Sequence, residues 1–104
     1  MEIYYFHRDI ELFLNELEES TRAKVTRLLE YLTVEGYLLG MPHAKRIEKD
    51  LYELRVLGSQ NIRIFYIFHR DKIVLLHVIS KKSNRLVDSD LKTARQRLSS
   101  LHHL

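Results

Sequence analysis

The stretch that most restricts the fold is LYELRVLGSQNIRIFYIFHRDKIVLLHVISKK, residues 51 to 82, because its apolar residues repeat with the period of strands rather than helices. In Leu51 to Leu57, Glu53 and Arg55 alternate with Tyr52, Leu54 and Val56, the pattern of a half-buried strand. Ile62 to His69 carries one charge near its start, Arg63, followed by Ile64, Phe65, Tyr66, Ile67 and Phe68. Both faces of that strand need cover, which predicts the centre of the sheet. Gly58, Ser59, Gln60 and Asn61 supply turn chemistry between the two strands, and Arg70-Asp71 stands where a second tight turn must precede Ile73 to Ser80. The prediction is a three-strand antiparallel meander.

The cations fall at informative places in this unit. Arg55 is inside the first strand, Arg63 opens the second, and Lys81-Lys82 follow the third. Facing residues of an antiparallel pair share a side of the sheet, so Arg55 and Arg63 converge only if the hairpin loop has an odd length, three or five residues. A four-residue loop sends them to opposite faces. Tyr66 is expected in the core, opposite the face of Arg63.

Around the meander the chain supplies cover. Residues EIYYF near the start predict an edge strand. Ile10, Phe13, Leu14 and Leu17 define one helix face, with Asp9 as N-cap. Val25, Leu28, Leu29 and Leu32 repeat the spacing in a second helix, capped by Ser20 or Thr21 and ended by Gly36. The segment 36 to 50 reads as the main loop and brings His43, Lys45, Arg46 and Lys49 to the rim of the sheet. Leu91, Ala94, Leu98 and Leu101 mark a C-terminal helix, and the closing His102 and His103 have no assignable role. The fold class is therefore α+β: an antiparallel sheet, made of an N-terminal strand and the meander, packed on a helical hairpin with a C-terminal helix alongside.

With 104 residues the chain makes one domain, 1 to 104. Its formal charge of +3 is unevenly spread: residues 1 to 42 hold four Lys/Arg against eight Asp/Glu, and residues 43 to 104 hold thirteen against six. A basic sheet half with interleaved aromatics suits a polyanion such as RNA, a solvated basic surface being the alternative. The absence of cysteine excludes disulfides and thiolate metal sites. Six histidines without ligand spacing, and no Gly-rich phosphate loop, predict neither metal nor cofactor. No run matches a membrane span and the N-terminus lacks a signal-peptide pattern, so a cytoplasmic location is expected.

The element order, the motifs LGMPHAKRIEKDLYELR, FYIF and IVLLHVISKK, and a closing A-R-x-R-L helix together resemble the RelE/ParE toxin superfamily, in particular its HigB-like, phage Gp49-like branch. The likeness spans nearly the whole chain. It implies the toxin of a toxin–antitoxin pair that cuts messenger RNA on the ribosome without a metal and is neutralised by an antitoxin, a helix-turn-helix DNA-binding protein. The same superfamily includes ParE-like inhibitors of a topoisomerase that do no chemistry, and an inactive phage-derived remnant whose only partner is its antitoxin is a third reading.

Cleavage of this kind, attack of a ribose 2′-OH on the adjacent phosphate, needs a proton removed, a phosphorane neutralised and a 5′-oxygen protonated. Arginine forks suit the phosphorane, and the resemblance assigns Arg55 and Arg63 to catalysis with Lys82, beside Lys81, near the scissile phosphate; Lys45 and Arg46 at the rim of the sheet, together with Lys81, are expected to hold the RNA backbone. His77 is a candidate for proton transfer because imidazole titrates near pH 7, and Glu53 is another. Arg63→Ala is expected to abolish cleavage with the fold intact.

Overall fold

The computed structural model describes residues 1–81 and 88–102. Its elements are β1 (Glu2–Tyr5), α1 (Arg8–Asn15), α2 (Glu19–Glu35), a 3-10 turn (Gly36–Leu38), β2 (Ala44–Arg46), β3 (Tyr52–Val56), β4 (Ile62–His69), β5 (Lys72–Ser80) and α3 (Asp88–His102). Among the described residues the strands form one sheet in the order β1-β5-β4-β3-β2. The α+β class, the meander, the helical hairpin and the C-terminal helix are as expected.

Two details differ from the expected sheet. β1 runs parallel to β5, with Ile3 opposite Ile73 and Tyr5 opposite Leu75, so the sheet is mixed rather than wholly antiparallel. The chain leaves β1 through two helices rather than a hairpin, and a connection of that length frees the strand from antiparallel pairing. The segment 36 to 50 also contains a strand. β2 pairs with β3 through Ala44–Leu54, Lys45–Glu53 and Arg46–Tyr52, a three-residue edge too short to announce itself by alternation.

The sheet is covered on both sides. On one face Leu54, Val56, Ile62, Ile64, Tyr66, Ile73 and Leu75 pack against Ile10, Leu14, Leu17, Val25, Leu28 and Leu32 of the hairpin, which confirms Tyr66 as core. On the other face Leu51, Phe65, Ile67, Val74 and Leu76 meet Ala94, with Leu91, Leu98 and Leu101 partly buried beside it. β4 lies in the middle and is the most completely buried strand, as its apolar composition requires.

Helix ends show where local chemistry was misjudged. α1 begins two residues earlier than predicted, and His7 caps it: the Asp9 N–H donates to His7 Nδ1 at 3.0 Å. Asp9 then stands in the first turn, where its charge complements the helix dipole. α2 starts at Glu19 with Glu18 as an N-cap that makes no side-chain bond, while Thr21 is buried. Gly36 ends the helix at φ +55°, a conformation that glycine alone adopts without strain. Arg70 and Asp71 both take positive φ, 50° and 62°, which gives the β4–β5 turn the twist that a two-residue hairpin needs.

β5 contains an irregularity with consequences for the site. Phe65 pairs with His77 but Tyr66 pairs with Leu75, so Leu76 is an extra residue, a β-bulge. Strict alternation would put Leu76 and His77 on opposite faces. The bulge lets both turn toward α3: Leu76 joins that side of the core, and His77 stacks on Phe65 with ring centroids 6.1 Å apart. The Leu76 carbonyl accepts a bond from Arg97 Nη1 at 2.6 Å, tying α3 to the bulge.

Candidate functional site

The hairpin geometry decides whether the arginines can act together. Val56 pairs with Ile62, leaving five residues, 57 to 61, in the loop. With that odd length Arg55 and Arg63 face each other directly across β3 and β4, on the side of the sheet that carries α3. The loop is held in place from outside, since the Glu18 N–H donates to Gln60 Oε1 at 3.3 Å and Lys24 Nζ to the Leu57 carbonyl at 3.1 Å.

Glu53, two residues before Arg55, projects from the same face and lies between the guanidinium groups. Its Oε1 is 3.6 Å from Arg55 Nε and 3.5 Å from Arg63 Nε. These are ion pairs too long for good hydrogen bonds, and among the described residues neither Nε has a protein acceptor although both atoms are buried. Arg63 is only 2% exposed, and its Nη1 donates to the neighbouring Ile62 carbonyl at 3.3 Å. Burial, followed by repulsion from Arg55, holds the Arg63 guanidinium below the ordinary arginine range, and Glu53 opposes the shift. The group nonetheless keeps its proton at any physiological pH. Two buried donors without protein acceptors, beside a single carboxylate, form a cluster able to receive anionic oxygens.

Further cations approach this cluster. Lys45 faces Glu53 across β2 and β3 and is exposed. Lys81, whose N–H donates to the Asn61 carbonyl at 2.7 Å, is partly buried at the end of β5. Burial, then Arg63, lowers its pKa, Arg55 adding to the effect and Glu53 opposing it, so its ammonium lies within the field of the cluster. A substitution follows with a defined sign. Glu53→Gln removes the influence that raises the Lys81 pKa, so this pKa is expected to fall further; titration of its ε-position by NMR measures this, and an unchanged value would separate Lys81 from the cluster.

The remaining predicted residues are placed differently. Arg46 alternates to the opposite face from Lys45, and its guanidinium is spent on the local chain, with Nε donating to the Lys49 carbonyl at 3.0 Å and Nη2 also bonded there. His77 shares the face of Glu53, but Phe65 intervenes between them. Two strand spacings separate them by about 10 Å. Its Nε2 lies 3.3 Å from Asp90 Oδ1 of α3, a half-buried pair. Lys82 and His103 lie outside the described residues.

Sequence reasoning missed the contributions of α3. Asp90 meets His77, Arg97 meets Leu76, and Arg95 Nε donates to Glu48 Oε1 at 2.8 Å, an exposed pair that holds the Glu48 carboxyl below its usual range. Each joins residues far apart in the chain, so no local spacing announces it. Among the described residues no three His, Cys, Asp or Glu side chains gather as a metal site, and no helix is long and apolar enough to cross a membrane.

No curated protein matches the sequence. A family model does: the one described as phage derived protein Gp49-like (DUF891) matches residues 12–99, from α1 to α3 and through every residue of the cluster. A match over that much of the chain makes this protein a member of the Gp49-like family, a group associated with RelE-like toxins.

Proposed function

We propose that this protein is the toxin of a type II toxin–antitoxin pair and cuts messenger RNA on the ribosome, as the HigB-like relatives that it resembles do. The observation that carries the reading is the facing pair Arg55 and Arg63, whose buried Nε donors lack protein acceptors among the described residues and share one carboxylate. In the reaction the ribose O2′–P bond forms as the P–O5′ bond breaks, leaving a 2′,3′-cyclic phosphate and a 5′-hydroxyl. Arg55, more exposed than Arg63, meets the phosphate oxygens, and Arg63 supports the charge from beneath. Lys81, with its lowered pKa, is the better acid for an ammonium and protonates O5′. Glu53, the carboxylate inside the cluster, takes the 2′-hydroxyl proton, whereas His77 is engaged with Asp90. Lys45 grips the backbone, and a helix-turn-helix antitoxin is the neutralising partner.

A ParE-like topoisomerase inhibitor would use the same fold, but it has no need for arginine donors grouped around a carboxylate. Primer extension on messages from cells expressing the protein distinguishes the two. Discrete breaks within translated codons are the expected result; DNA-damage signalling without such breaks would overturn the nuclease reading.

A further inference from the structure

A second basic feature lies on the hairpin side of the sheet. Between α2 and the end of β3 is a cleft of about 310 Å³, lined by Lys24, Arg27, Tyr31, His43 and Arg55 over an apolar floor that includes Leu28 and Val56. Among the described residues no carboxylate lines it. This is notable because residues 1 to 42 are acidic overall, yet two of their four Lys/Arg residues meet here. Arg27 has no acidic partner among the described residues, and Tyr31 is 45% exposed, its ring tilted against His43 with centroids 6.1 Å apart.

Cations above an apolar floor, with an accessible aromatic ring at the wall, match a phosphate joined to a planar base. The volume is at the small end of ligand sites, enough for about one nucleotide. Arg55 links the two features, since its Nε is 3.6 Å from Glu53 and the same residue lines the cleft. A strand whose phosphate rests on the Arg55–Arg63 cluster therefore has a basic path around the end of β3, past its pairing with β2.

We propose that this cleft holds one nucleotide of single-stranded RNA flanking the cleaved one, its phosphate on Arg27 and Lys24 and its base against Tyr31. The assignment rests on the ribonuclease reading and adds to it a subsite that fixes the position of the message. It makes Arg27 and Tyr31 binding residues that take no part in the chemical step.

The test uses the full chain and a fluorescent 2′-O-methyl uridine hexanucleotide, which lacks the attacking hydroxyl and stays intact. Arg27→Ala and Tyr31→Ala should each weaken binding about tenfold, as expected for a lost phosphate contact and a lost stacking partner. Circular dichroism checks that each variant is folded, and Tyr31→Phe should restore affinity. A 4-thiouridine version should cross-link to Tyr31 or His43 on irradiation. Unchanged affinity in both variants, with Lys45→Ala weakened, would overturn the cleft and leave the nuclease reading standing. Loss of affinity in the cleft variants, from a protein that makes no breaks in cellular messages, would support the cleft and sink the nuclease. A wild-type chain that does not bind the hexanucleotide overturns the cleft, and so do variants that keep RNA but lose a co-expressed protein partner.

Discussion

Replacing Arg63 with alanine is expected to destabilise the protein by about 3 to 5 kcal/mol, the usual cost of removing one partner from a buried ion pair. The reason is burial: Arg63 is 2% exposed, and Glu53, 5% exposed, would keep only the longer contact to Arg55. Urea denaturation of the variant measures this, and a loss below about 1 kcal/mol would show that Glu53 does not depend on Arg63. The double change Arg63→Met with Glu53→Leu removes both charges and keeps the volume, so it should recover most of the loss. The burial of the pair sets this expected loss against the reading from sequence that Arg63→Ala leaves the fold intact. Activity lost in that variant must be judged against the fraction folded.

Arg55→Ala gives the cleaner test of the chemistry. Its side chain is 27% exposed, and Glu53 retains Arg63 when it is lost, so the fold should hold. The rate of message cleavage in a translating extract is expected to fall about 100-fold or more, the scale for losing one donor to a developing anion. Arg55→Lys should restore only part of the activity, because an ammonium lacks the planar fork. Cleavage at the wild-type rate by Arg55→Ala would take the residue out of the site.

Much of the architecture could be read locally. The charge alternation of β3, the apolar run of β4 and the Arg70-Asp71 turn placed three strands nearly residue for residue. Helix faces were equally plain, as Ile10, Leu14, Val25, Leu28 and Leu32 are all buried. Capping was less legible, because His7 is an uncommon cap and competes with an adjacent Asp9 that looks like a better one. The β5 bulge left no trace either, since an apolar run of four residues, Ile73 to Leu76, reads the same with or without an extra residue.

Within the site, the identity of the cations was fixed by the linear chain, and so was the condition for their meeting: an odd number of loop residues. Folding supplied the number, five, and with it the shared face of Arg55 and Arg63. It also buried Arg63, turned Arg46 away to bind its own loop, joined His77 to Asp90, and gathered Lys24 and Arg27 beside Arg55. Periodicity belongs to the strand or helix in which it is written, whereas burial, pairing and field depend on which elements are packed together. Those relations exist only once helices cover both faces of the sheet.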